Sequence, residues 1–96
     1  NSVVPKAETP AVTGKVLGEE KFIFTLFLQR GSHKIPAKVN EIRELQMFLN
    51  KNRFGSLVVD GKFGPLTEGV LIKFQLSNNL IGDGEVGDLT RAVLNR

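Results

Sequence analysis

Few side chains in this sequence have the types and spacing that chemistry needs. The single histidine, His33, stands in a polar run with no cysteine anywhere in the 96 residues. A zinc site takes three or four nitrogen, sulfur or oxygen ligands, and no usual set exists here. His33 therefore reads as a solvated loop residue. Asp83, Glu85 and Asp88 are close in sequence but do not follow the ligand register of a calcium-binding loop. Turn and helix-end roles explain them more simply. Glycoside hydrolysis needs two carboxylates across a cleft, and a chain this small has little room for an enclosed groove. Ser2, Ser32, Ser56 and Ser77 lack a nearby His–acid arrangement. The expectation is a protein without enzymatic activity, metal or cofactor.

What does stand out is a repeated stretch. "DGKFGPLTEGVL" begins at Asp60, and "DGEVGDLTRAVL" begins 23 positions later at Asp83. Asp, Gly, Gly, Leu, Thr, Val and Leu recur at matching places, and a fixed period exposes a structural unit. Each copy reads as a turn followed by a helix start. Gly61 can take positive φ, and Asp60 can accept a hydrogen bond from an amide two residues on. Gly64 leads into Pro65, which suits the first helical position because its missing N–H would have no partner there. Asp88 takes that position in the second copy, where a carboxylate favours the positive helix end.

Three helices must position these turns. The helix from Pro65 is expected to turn Leu66, Val70 and Phe74 to one face, with Leu71 beside them, and to end near Asn78-Asn79. The second copy is shorter, with Leu89 and Val93 expected inward. Before both, "NEIRELQMFLNKN" (Asn40 to Asn52) reads as a helix with Asn40 as N-cap and a stripe of Ile42, Leu45 and Leu49 flanked by Phe48. Helices this short are not stable alone, so the three must share one core.

These residues resemble the peptidoglycan-binding domain family, a three-helix module appended to many bacterial wall hydrolases and carboxypeptidases. The resemblance rests on Leu45-Gln46, the turn Asp60 to Thr67, Phe74-Gln75 and the turn Asp83 to Thr90, in that order, over about residues 40–95. Two departures are the long "GSHKIPAKVN" entry (Gly31 to Asn40), where the family uses a compact turn, and Gly69, where Ala is usual. The resemblance implies a mainly α fold, a small three-helix bundle with two Asp-Gly turns. It also implies binding to peptidoglycan or another cell-wall polymer. Asp60, Phe63, Gln75, Asp83 and Arg91 are the candidate ligand-binding residues. Phe63 could offer its face to a sugar ring or sit in the core. Gln75 and Arg91, near helix ends, could face solvent or read a muramyl-peptide carboxylate.

The family does not account for residues 1–39. Residues 1–20 form a Pro/Thr/Ala-rich stretch of linker composition. Residues 21–39 comprise a hydrophobic strand and a connecting loop, and residues 40–96 the three-helix domain. In "KFIFTLFLQR" (Lys21 to Arg30), Phe22, Phe24, Leu26 and Leu28 alternate to one side, and Ile23, Thr25 and Phe27 to the other. Flanking Glu19-Glu20 and Arg30-Gly31 also resemble helix ends, so a helix stays open. A strand apolar on both faces has to be covered. It either lies across its own helices or pairs with a neighbouring subunit. The second route makes Val3, Val4, Val12, Val16, Leu17, Phe22, Phe24, Leu26 and Leu28 self-assembly candidates, in a homo-oligomer or filament.

The bulk composition narrows the classes. Net charge is +3, with nine Lys/Arg against five Asp/Glu in residues 1–53 and four against five thereafter. A mild basic bias suits acidic surfaces in general and selects no nucleic acid. No apolar run approaches the ~20 residues of a membrane span. The chain opens on Asn1-Ser2 without an initiator Met or signal peptide, as expected of a processed mature protein or an excerpt. The leading expectation is a secreted, extracellular or wall-associated, non-catalytic wall-binding module. A self-assembling extracellular structural subunit is the alternative. A hydrolase propeptide has least support.

Overall fold

The computed structural model describes residues 22–96. Among them are three α-helices: α1 (Val39–Lys51), α2 (Pro65–Ser77) and α3 (Asp88–Leu94). Two short 3-10 turns, Ser32–Lys34 and Pro36–Lys38, precede α1. The second runs directly into the helix, so the N-cap is Lys38. Asn40, expected as the cap, lies inside the first turn, where its Oδ1 accepts from Arg43 Nη1 at 3.1 Å. Pro36 sets the helical φ early and moves the boundary upstream.

The stripe of α1 is buried as its spacing predicts, with Ile42, Leu45 and Leu49 fully enclosed. Full burial of such a side chain contributes about 2 kcal/mol. Phe48 lies at the centre of an aromatic group. Phe22, Phe24 and Phe74 meet it edge-on at ring-centroid distances of 6.0, 6.0 and 5.5 Å, and Phe54 meets Phe74 at 5.3 Å. Such edge-to-face pairs add about 0.5–1.5 kcal/mol each beyond burial.

Helices α2 and α3 keep part of the expected face, with Leu71 and Phe74 buried and Val70 and Val93 packed against the core, but turn their first leucines outward. In α2 the buried residues are Thr67, Leu71, Phe74 and Gln75; in α3 they are Thr90 and Leu94. Leu66 and Leu89, expected inward, are 80% and 74% exposed. The cause lies in the preceding turn. Thr67 Oγ1 accepts from Gln46 Nε2 at 3.1 Å, and Thr90 Oγ1 accepts from Gln75 Nε2 at 3.1 Å. Once the threonine faces inward, the leucine before it swings about 100° away.

Phe22 to Arg30 does not form the expected strand. Among the described residues its one bridge is antiparallel, Leu28 with Val86. The period-two alternation is real: Phe22, Phe24 and Leu28 are buried, while Ile23, Thr25 and Phe27 point outward. Side chains take the place of a neighbouring strand. Glu41 Oε1 accepts from the amides of Thr25 (2.8 Å) and Leu26 (2.6 Å). Asn95 accepts from Phe24 N–H at 2.7 Å and donates to Phe24 C=O at 2.8 Å. With its backbone satisfied this way, the segment needs no ladder to be buried. Of the self-assembly candidates, Phe22, Phe24 and Leu28 belong to this chain's own core and Leu26 packs against it. Val3, Val4, Val12, Val16 and Leu17, with residues 1–20 as a whole, lie outside the described residues.

Candidate functional site

The two Asp-Gly turns are each built around a buried glutamine. Gln46, on α1, reaches the first: its Nε2 donates to Asp60 Oδ1 (3.1 Å), Lys62 C=O (3.0 Å) and Thr67 Oγ1 (3.1 Å). Its Oε1 accepts from the amides of Asp60 (3.1 Å) and Gly61 (2.9 Å). Gln75, on α2, serves the second turn in the same way. Its Nε2 donates to Asp83 Oδ1 (3.0 Å), Glu85 C=O (2.9 Å) and Thr90 Oγ1 (3.1 Å), and its Oε1 accepts from Gly84 N–H (2.9 Å). Each aspartate also accepts from the amide two residues on, Lys62 at 2.9 Å and Glu85 at 3.0 Å. Gly61 and Gly84 take φ of 77° and 72°, a region other residues enter only at a cost.

This arrangement fixes where the candidate ligand-binding residues stand. Asp60 and Asp83 are at the surface, each with one carboxylate oxygen committed to its turn. The carboxyl of Asp60 is held below its ordinary range, chiefly by the Lys62 N–H and next by the Gln46 side chain. Gln75, expected at a solvent-facing helix end, is wholly buried, because a hub with four partners has to sit among them. Phe63 is likewise buried and presents no face to a sugar. Arg91 is half-buried, donating to Val86 C=O at 3.1 Å and paired with Asp88.

Two residues do more than their composition suggests. His33, read as a solvated loop residue, is half-buried, and its Nδ1 accepts from Phe63 N–H at 3.0 Å. Gln46 is not among the candidate ligand-binding residues, although Leu45-Gln46 is part of the family pattern. The signal that could have found it is the apolar-Gln pair before each turn, Leu45-Gln46 and Phe74-Gln75.

Above each turn lies a shallow groove. The first, about 210 Å³, is lined by Leu57, Val58, Asp60, Lys62, Pro65 and Leu66, among others. The second, about 300 Å³, is lined by Leu80, Ile81, Asp83, Glu85, Asp88 and Leu89, the same positions shifted by the repeat. Val58 and Ile81 are as exposed as the two leucines, at 76% and 81%. Grooves so open can hold part of a polymer by apolar contact and edge polar groups; they do not enclose a substrate. Among the described residues no group of three or more His, Asp or Glu side chains could hold a metal ion. None of the described helices is long and apolar enough to cross a membrane.

No curated protein and no solved structure gives a match to this chain. A family model does match, over residues 38–94, which takes in both glutamine hubs, both turns and all three α-helices. That span is more than half of the 96 residues, and the chain belongs to the peptidoglycan binding domain family.

Proposed function

We propose that this protein is a secreted, non-catalytic module that attaches non-covalently to peptidoglycan or a related cell-wall polymer. The contact face carries the two Asp-Gly turns and their grooves. The observation that supports this is the outward placement of Leu66 and Leu89 with Val58 and Ile81. Four large apolar side chains stand in water at matching repeat positions, where the core makes no demand on them. Paired exposed apolar residues beside polar groups mark contact surfaces. Asp60, Asp83 and Arg91 supply the polar edge, while Phe63 and Gln75 act from beneath by holding the turns in shape. The grooves run into open surface, which suits a long polymer engaged at several points.

The test is co-sedimentation with purified sacculi. The parent chain pellets, and the double variant Leu66→Ser/Leu89→Ser binds about tenfold more weakly, a loss of about 1.4 kcal/mol of apolar contact. Both leucines are outside the core, so the helical circular-dichroism signal persists in the variant. Sedimentation no greater than that of a control protein, or equal binding by parent and variant, removes this reading.

A further inference from the structure

One bond in the first Asp-Gly turn depends on a group that gains and loses a proton near neutral pH. His33 Nδ1 accepts from Phe63 N–H at 3.0 Å. It can do so only as a bare lone pair, with the ring proton on Nε2. A second proton puts an N–H on Nδ1, and two donors then face each other. Phe63 has no other acceptor at hand. Gln46 engages Asp60, Gly61, Lys62 and Thr67 and makes no bond to Phe63. Its ring is fully buried and its C=O is already taken by Gly31 N–H. The second turn has no such group. Val86, at the matching position, exchanges main-chain bonds with Leu28, and these do not titrate.

The charged groups around His33 leave this bond in control. Lys34 shares its 3-10 turn and Lys38 lies on the next. Helix α1, packed against both, carries Glu41, Arg43, Glu44 and Lys51, and the Asp-Gly turn carries Asp60 and Lys62. Glu41 is committed to the amides of Thr25 and Leu26, Asp60 to its own turn, and Glu68 of α2 to Arg30. Among the described residues none of these groups makes an ion pair with His33. The polar contact recorded for the imidazole is the Phe63 amide.

We propose that the His33–Phe63 contact is a pH-sensitive catch on the first groove, and on that groove alone. With the imidazole neutral the catch is closed, and Lys62, Gly64 and Leu66 line the groove as described. With the imidazole charged, Phe63 N–H is left without an acceptor in a largely enclosed place, which is unfavourable. The backbone between Lys62 and Pro65 then loosens, and the first groove loses its shape. Histidine ordinarily changes charge between pH 5 and 8, so mild acidification suffices. The consequence for attachment rests on the function proposed above: wall binding through the first groove weakens as pH falls, while the second groove is unaffected.

Hydrogen exchange of single amides in the full chain, read by NMR and corrected for intrinsic rate, tests the catch directly. Protection of the Phe63 amide is expected to fall about fivefold or more between about pH 8 and pH 5, while that of Val86 holds. His33→Asn places an amide oxygen near the position of Nδ1, so Phe63 stays protected across the range. Circular dichroism checks that the variant folds, and His33→Gln replaces it otherwise. Phe63 protection that ignores pH in the parent, or that falls as far in the variant or at Val86, would overturn the proposal. Sedimentation with sacculi reads the consequence: the parent is expected to lose about threefold more affinity over the same range than His33→Asn. Equal losses would disconnect the catch from binding. Absence of pelleting at every pH would remove the wall-binding reading instead, and the exchange data would still decide the catch.

Discussion

The first and second Asp-Gly turns follow one plan but are not held equally. Gln46 makes five hydrogen bonds within the first turn; Gln75 makes four within the second. Both turns are also stitched to the N-terminal segment through the residue just before their second glycine. Phe63 accepts from Gly31 N–H at 2.9 Å and donates to His33, whereas Val86 exchanges both backbone bonds with Leu28, at 2.7 and 3.3 Å. One turn is thus secured by one main-chain bond and one side chain, the other by main chain alone. The difference teaches that the repeat encodes the inner half of each turn, the aspartate, glycine and threonine that a glutamine from the preceding helix engages. The outer half is left to whatever segment lies across it.

The comparison can be broken most severely at the hubs. Gln46→Leu removes every partner from groups that stay partly buried, and is expected to cost about 3 kcal/mol, with Gln75→Leu nearer about 2 kcal/mol. Urea denaturation would show it as a lower midpoint, with the first variant the less stable. Equal losses would mean that the additional bond to Gln46 contributes nothing.

Substitution at the turn glycines is next in size. Alanine at φ near +75° costs about 1–2 kcal/mol from backbone strain alone. In Gly61→Ala the new Cβ also meets Val39 Cγ1 at 2.7 Å, a branched side chain in the first turn of α1. In Gly84→Ala it meets the flexible Glu68 side chain at 2.8 Å, which can move away. Thermal midpoints are expected to fall further for Gly61→Ala.

A smaller change runs the other way. Gly69 stands where the second copy has Ala92, and nothing lies within 4 Å of a Cβ built there. Gly69→Ala is expected to stabilise the chain by about 0.5–1 kcal/mol, read as a higher urea midpoint.

The smallest effect is one of pH. The Asp60 carboxyl is lowered from 3.8 by the Lys62 N–H and the Gln46 amide. Its contribution is therefore complete above the unfolded-state value and is lost as pH falls through the folded one. Parent and Asp60→Asn stabilities, measured between about pH 5 and pH 2, are expected to converge toward the acid end. A constant difference across that range would assign the role of Asp60 to its shape and not to its charge.

Much of the helical plan was legible because it is local. The α1 stripe is a 3.6-residue spacing, and the end of α2 is marked by Asn78-Asn79, where Asn79 takes φ of 62°. What was not legible depends on polar groups turned inward. Counting apolar residues gives α2 and α3 the phase that buries Leu66 and Leu89, because periodicity takes no account of a buried threonine bonded to a glutamine. The N-terminal segment failed differently. Its alternation is plain, but a strand is defined by its hydrogen-bond partners, and those proved to be Glu41 and Asn95, one of them 71 positions away.

That last separation bears on the order of events when the chain is made. Synthesis proceeds from the N-terminus, so Phe24 emerges long before Asn95, the residue that grips its backbone from both sides. Val86, which pairs with Leu28, also comes late. Until then Phe24 and Leu28 have helices to touch but not these bonds for their main chain, and the loop to be closed is nearly as long as the described structure. Glu41 can hold Thr25 and Leu26 once α1 has formed, but the bonds at Phe24 and Leu28 have to wait for Val86 and Asn95. The bonds that lock Phe24 and Leu28 in place thus wait on the two residues that flank α3, Val86 before it and Asn95 after it.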